Sequence, residues 1–450
     1  MKFKRDMSMT EGVIWKQLLM FAVPLLVGNL FQQLYNTVDS IVVGNYVGKE
    51  ALAAVGSSDN AINTIIGFFS GMATGAGVVI SQYYGAREEK ELSHAVQTTI
   101  AMTGVMAVLF TILGVLMVNP LLRLMQVPED VVPESGKYLR IYFAGVAGLM
   151  FYNMGAGILR AVGDSRRPLY FLIFSTITNI ILDLVFVVWF HWGVAGVGYA
   201  TILAQFLSAI LVLWTLTKEK AIYRIVWKEV RLHGDMIRKI MRIGFPAAFQ
   251  MAIVSFSNVF VQAYINHFGS ACMAGWSSYG KIDKFAMLPI QSVSLSVTTF
   301  VGQNLGAGNL ARAKKGSNVA LLMCVIVAIL TATPIAVFAP PLVKMFNQDP
   351  DVVEYGTLFL RMMMPFLPSI CLNQVYAGSL RGAGDTRAPM VIMMSCFIFF
   401  RQIYLFIISR VANSITWVAL GYPFGWALCS ICLFLYYRFA KWEKHRVVVS

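Results

Sequence analysis

The chain is 450 residues long, 58% hydrophobic and only 13% charged, with a mean hydropathy of +0.67, whereas soluble chains are about one quarter charged. That composition excludes an ordinary water-soluble globular domain and describes an all-α membrane protein. A formal net charge of +14 would suggest nucleic acid as a partner in a soluble chain, but the placement of the charges along this one gives them another purpose.

A helix needs about 20 consecutive apolar residues to cross a bilayer, and apolar runs with polar punctuation predict twelve such spans. The opening MKFKRDMSMTEG is polar and runs directly into an apolar stretch without a small-residue cleavage pattern, so no removable signal peptide is expected. The first span, 15–43, carries Pro24, Asn36 and Asp39, and the second, 51–83, carries Asp59. Spans follow at 95–118 and 138–159. The phrase LRAVGDSRRP, 159–168, then leads into a fifth span, 168–190, with Asn179 and Asp183, and a sixth, 194–217, with Thr201. A long polar stretch, 217–242, reads as a partly amphipathic linker. Beyond it lie spans at 243–266, at 271–301 with Lys281, Asp283 and Lys284, at 317–340 and at 356–379. The phrase LRGAGDTRAP, 380–389, precedes spans at 389–410, with Arg401, and 415–437.

Lys and Arg sort strongly by side. The side holding both termini and the 217–242 linker carries 26, the opposite side seven, and Lys281, Lys284 and Arg401 lie within spans. The positive-inside rule makes the first side cytoplasmic, so the basic excess is topological and no nucleic-acid partner is expected. The two charged phrases are 221 residues apart, and the same offset carries Gln82, Gly85 and Ala86 onto Gln303, Gly306 and Ala307, and Asp130, Leu139 and Arg140 onto Asp351, Leu360 and Arg361. With a slip of one residue, Pro24 and Asn36 fall on Pro246 and Asn258. The chain therefore reads as two similar halves, 1–220 and 242–450, joined by a linker at 221–241. Six spans each make this a parallel repeat, which implies two six-helix bundles related by a pseudo-two-fold axis along the membrane normal. Each phrase becomes the tight turn after a fourth span, with Gly163 and Gly384 permitting the turn, Asp164 and Asp385 capping the next helix, and Pro168 and Pro389 in its first turn.

Charges inside a span are costly unless paired or hydrated, and the two halves differ in sign. Asn179 and Asp183 are four apart and share a helix face, with Asp39, Asn36 and Thr201 on neighbouring spans and Asp59 a further acid nearer a membrane surface. Carboxylate, amide and hydroxyl oxygens are the donors that a hard cation or a proton relay requires. In the second half, Asp283 can pair with either flanking lysine, or these charges and Arg401 can line a substrate cavity. All six cysteines lie in apolar spans, so Cys429 and Cys432 read as packing despite their C-x-x-C spacing. The five histidines are scattered over loops and span ends, which is not the cluster a membrane-embedded enzyme would require.

The FAVPLLVGNLF opening with Pro24, the SQYYGARE and GQNLGAGN turns, and the paired LRxxGDxRxP phrases together resemble the multidrug and toxic compound extrusion (MATE) transporters over essentially the whole chain. The resemblance implies a V-shaped pair of bundles that opens alternately to either face and exports amphipathic, cationic compounds in exchange for protons or sodium ions. It implies a cation site at Asp39, Asn179, Asp183 and Thr201, where sodium is the candidate metal, and a hinge at Pro24. Carboxylates that another branch carries in spans seven and ten are missing here, which puts a second ion site in doubt. A lipid-linked precursor flippase of the wider superfamily is the alternative, but it calls for a strongly cationic cavity, and the acids of the first half argue against that. The expected partners are small organic molecules and the bilayer of the plasma (inner) membrane. No cofactor beyond the coupling ion and no assembly beyond a monomer are expected. A cysteine placed at Arg231 should react with a membrane-impermeant maleimide only from the cytoplasmic side; labelling in intact cells would overturn this topology.

Overall fold

The computed structural model describes residues 8–125, 127–412 and 414–448, without the side chains of residues 36, 40, 49, 50, 52, 53, 57, 59–61, 254–257, 259 and 260. The described residues are helical throughout, with turns between. Helices α1 (Ile14–Tyr46), α2 (Lys49–Ala86), α3 (Glu89–Leu124), α4 (Val132–Ala144), α5 (Val146–Ala161), α6 (Arg166–Asp183) and α7 (Gly193–Lys218) form the first half. The second comprises α8 (Gly234–Asn266), α9 (Ser270–Gly306), α10 (Leu310–Val337), α11 (Ala339–Lys344), α12 (Pro350–Met363), α13 (Leu367–Gly382), α14 (Arg387–Met394), α15 (Arg401–Val411) and α16 (Ile415–Phe439).

These helices follow the sequence reading closely. Among the described residues ten candidate spans are long and apolar enough to cross a membrane, and α4 with α5, bent by 47° at Gly145, makes an eleventh. The remaining expected span, 243–266, lies within α8, which starts nine residues earlier inside the expected linker. Two spans contain a wider π-helical turn. One, Leu184–Trp189, continues α6; the other, Ser395–Phe400, joins α14 to α15. The repeat is visible helix by helix, since the 221-residue offset carries Val146–Ala161 of α5 onto Leu367–Gly382 of α13.

Packing gathers the chain into two compact units. One holds Val27–Phe245; the other holds Ser8–Leu26 together with Pro246–Ser450. Set beside the halves expected at 1–220 and 242–450, the units have exchanged the first part of their leading helices. The division falls two residues after Pro24 in α1 and immediately before Pro246 in α8. Proline lacks a backbone N–H, so each site omits one rung of its helix ladder.

The exchanged segments are held in matching ways. In the unit of Val27–Phe245, α2 lies against the start of α8 so closely that a Cβ on Gly75 would overlap the backbone of Gly244 and crowd the carbonyl of Ile240. In the other unit Ser296, the repeat partner of Gly75, donates through Oγ to the carbonyl of Leu18 at 3.1 Å. Ahead of α1, Met9 is fully buried: its N–H donates to Gln303 Oε1 at 2.9 Å, and its carbonyl accepts from Asn304 Nδ2 at 3.0 Å. Ahead of α8, Gln97 Nε2 donates to the Arg224 carbonyl at 2.9 Å, and the ring of His233 stacks on His94 with centroids 4.3 Å apart. Arg231 Nε donates to His233 Nε2 at 3.1 Å, leaving His233 Nδ1, 2.9 Å from Thr98 Oγ1, to carry the proton. Partial burial, then His94 and Arg231, hold the His233 imidazole below its ordinary pKa.

Both repeated phrases are turns, with φ of +95° at Gly163 and +91° at Gly384, a left-handed conformation suited to glycine. Asp164 Oδ1 accepts from the N–H groups of Arg166 and Arg167 at 3.0 and 3.1 Å, and Asp385 Oδ1 from that of Ala388 at 3.3 Å. Gly75→Ala should cost about 1–3 kcal/mol through overpacking and lower the melting midpoint of the purified protein. Gly77→Ala is its control, since a Cβ there meets only ordinary contact at 3.7 Å; equal melting of the two variants would contradict the close approach of α2 and α8.

Candidate functional site

The unit of Val27–Phe245 collects polar side chains from three helices into one enclosed place. Asp39 on α1, Asn179 and Asp183 on α6 and Thr201 on α7 are 6%, 1%, 0% and 2% exposed. The carboxyl groups of Asp39 and Asp183 face each other within hydrogen-bonding reach. Two ionised carboxylates are both acceptors and cannot satisfy one another, so a proton or a cation must stand between them for the pair to be stable in apolar surroundings. Among the described residues neither oxygen of Asp183 has a donor, and Asn179 has no partner for its amide nitrogen or its oxygen. Buried polar atoms are normally hydrogen-bonded. An enclosed carboxylate and amide left without partners mark a place shaped for something else.

Each residue arrives by a simple local rule. Asn179 and Asp183 share a helix face one turn apart, and Asp183 is the last α-helical residue before the π turn, a distortion that recurs at functional sites. Tyr35 lies one turn ahead of Asp39 on α1. Its hydroxyl donates to Thr201 Oγ1 at 3.2 Å, and it lies near Asp39 and near Tyr138 and Tyr142 of α4. These three phenols are not legible in the sequence, because a half-apolar tyrosine blends into its span; the four-residue spacing of Tyr35 and Asp39 is the available signal. The side chains of the other two candidates in this half, Asn36 and Asp59, lie outside the described residues.

The second-half candidates separate. Lys281 and Lys284 are exposed, with Lys281 Nζ 5.3 Å from the centre of the Phe346 ring. Asp283, which could have paired with either, lies instead close to Tyr279, one turn earlier on the same helix. Arg401 is buried, and its Nη2 donates to Asn258 Oδ1 at 3.1 Å. The cysteines are free thiols.

Comparison with known proteins adds the family. The MatE family model matches residues 24–185 and 246–407, one copy in each half, beginning at Pro24 and Pro246. The probable multidrug resistance protein YpnP of Bacillus subtilis (strain 168) is 28% identical, covering 97% of this chain and 98% of its own. The probable multidrug resistance protein NorM of Thermotoga maritima is 26% identical, covering 97% and 94%. A solved structure of a multidrug resistance MATE family transporter of the MOP superfamily, in its outward-facing conformation, shares the fold with a TM-score of 0.91 at 23% identity, covering 99% of this chain and all of that one.

If the two facing acids oppose each other, neutralising one should not harm the fold. Asp183→Asn should melt at or above the wild-type temperature in sodium-free buffer at neutral pH. A fall of several degrees would show that the carboxylate is tied into the bundle by bonds of its own.

Proposed function

Because this chain belongs to the MatE family, whose model matches both of its halves, we propose that it is a transporter, not an enzyme, and that it exports amphipathic, mainly cationic organic compounds in exchange for a proton or a sodium ion. The observation that carries the coupling is the apposition of Asp39 and Asp183 in an enclosed pocket with Asn179 lacking partners. The multidrug resistance descriptions of YpnP and NorM support the substrate class.

The residues suggest how coupling works. With the pocket empty, two negative charges push α1 away from α6. A proton placed on either carboxyl removes the repulsion and creates a donor for the other. A sodium ion would do the same by accepting oxygens from both acids, with the Asn179 amide oxygen and the Thr201 hydroxyl as neutral donors. Tyr35, fixed to Thr201, would register the change on α1 one turn before Asp39. Because α1 is one helix from Ile14 to Tyr46, any shift at Asp39 is carried along it toward Pro24, where the missing rung makes bending easier. The chain then alternates between states in which the pocket is filled from one side of the membrane and emptied to the other. The same reading has both termini in the cytoplasm, the plasma membrane as location, and a monomer as the working unit.

Removing either acid should uncouple transport without unfolding the protein. In liposomes with imposed proton or sodium gradients, Asp39→Asn and Asp183→Asn should each abolish gradient-driven efflux of a cationic dye. Asp59→Asn should retain most of it. Wild-type coupling in the first two variants would overturn the assignment, and the ion whose gradient drives the wild type identifies the coupling species.

A further inference from the structure

The polar stretch between α7 and α8 is pinned to the unit of Val27–Phe245. Tyr223 and Ile225 are buried, the Ile225 N–H donates to the Leu216 carbonyl at 3.0 Å, and the Val226 N–H donates to Gln97 Oε1 at 3.3 Å. A backbone fixed in this way holds its outward side chains in fixed places. Ile222 and Trp227 are exposed, and the exposed cations Lys218, Lys220, Arg224 and Lys228 are interleaved with them. Of the two acids between Lys218 and Glu229, Glu219 is held by Arg167 Nη1 at 2.6 Å, which leaves Glu229 as the exposed one. The outer surface of this stretch is therefore basic and partly apolar.

Its level relative to the bilayer follows from α7. Leu203, Phe206, Ile210 and Trp214 recur at three- and four-residue spacing on one exposed face of a helix long and apolar enough to cross a membrane, and such a face meets hydrocarbon. Thr217 continues that face in the last turn of α7, and Trp227 Nε1 donates to Thr217 Oγ1 at 3.2 Å. Trp227 is itself 55% exposed, so its indole stands at the rim of the lipid-facing stripe, where a ring with one wet end and one apolar face is favoured. Lys218 ends α7 beside Thr217, and Lys228 follows Trp227. Cations set around an apolar anchor at that rim complement a phosphate ester that carries acyl chains. A zwitterionic lipid brings its own cation to the same place, and a soluble phosphate has nothing to offer the indole.

We propose that residues 218–229 form a binding surface for anionic phospholipids of the leaflet on the linker's side, with Lys220, Arg224 and Lys228 taking the headgroup charge and Trp227 seated at the headgroup level. The surface goes beyond the transport reading and does not rest on it, since lipid binding needs neither an ion gradient nor the acids of α1 and α6.

Titration of the purified full-length protein, in a neutral detergent, with fluorescent short-chain phosphatidylglycerol and with phosphatidylcholine of the same chains tests it. Wild type should bind phosphatidylglycerol about tenfold tighter than phosphatidylcholine, and the preference should collapse in about 1 M salt, where the screening length is about 3 Å. Combining Lys220→Gln, Arg224→Gln and Lys228→Gln should make the two affinities equal, whereas Trp227→Ala should weaken both lipids and keep the preference. A control that combines Lys315→Gln, Arg387→Gln and Arg438→Gln removes three exposed cations expected on the same side and should leave the preference intact. Glycerol 3-phosphate, which has the phosphate without the chains, should not displace the lipid. Equal affinities in wild type, a preference that survives the linker substitutions or high salt, an equal loss in the control, unchanged affinities in Trp227→Ala, or displacement by glycerol 3-phosphate would each overturn the proposal. If the combined linker variant is not recovered folded, Arg224→Gln alone decides, and an unchanged preference there overturns it. Efflux plays no part in these titrations, so failure of the coupling assignment at Asp39 and Asp183 would leave their outcome untouched.

Discussion

A side chain inside a hydrocarbon-spanning bundle has no water to turn to, and this single constraint orders most of the polar groups in the protein. Small hydroxyls meet it locally. Thr99, Thr103, Ser292, Thr298 and Ser317 each donate back to the carbonyl four residues earlier on their own helix. Others reach across, as Ser175 does to the Ala204 carbonyl at 2.7 Å and Ser379 to Ser317 at 2.8 Å. Against that background the places where the constraint goes unmet stand out, and in the unit of Val27–Phe245 Asp183 with Asn179 is such a place.

The same constraint explains what could be read from the sequence. Spans are legible because apolar runs cannot be short, and the repeat is legible because a duplicated bundle keeps its helix lengths. Asn179 and Asp183 were legible as a pair because four-residue spacing defines a helix face. Tyr35 was not, because a phenol is half apolar and was absorbed into its span. The fate of Asp283 was also hidden. Lys281 and Lys284 stood closer in the chain, but long flexible side chains can extend to the bundle surface, and Asp283 lies instead close to the phenol of Tyr279 one turn earlier. The exchange of helix ends left no local trace at all, since Leu18 or Ile240 would be equally apolar facing either neighbour.

Duplication fixed the geometry of the two charged turns but not their partners. Asp164 and Asp385 both cap the following helix. Asp164 also pairs with Arg167, which continues to Glu219 Oε2 at 2.6 Å and Tyr223 at 3.3 Å. The second turn has Ala388 in place of Arg167, and Asp385 instead accepts from Tyr436 at 2.7 Å, with His445 Nε2 3.9 Å away. One backbone solution thus supports an ionic anchor to the linker in one copy and a neutral anchor to the last helix in the other. The intramembrane clusters diverge the same way, acids in one half and a guanidinium in the other, on helices of matching length.

The exchanged helix ends bear on biosynthesis. A ribosome delivers residues 8–26 first, but the groups that receive them, Gln303 and Asn304 at Met9 and Ser296 at Leu18, are made only after more than half of the chain. Until then the leading part of α1 has no packing partner, and the early helices can rehearse their own bundle but not complete the molecule. Completion therefore waits for the second half, so that a chain arrested near the linker leaves an apolar helix end uncovered, the kind of surface by which quality-control machinery distinguishes an unfinished membrane protein from a finished one.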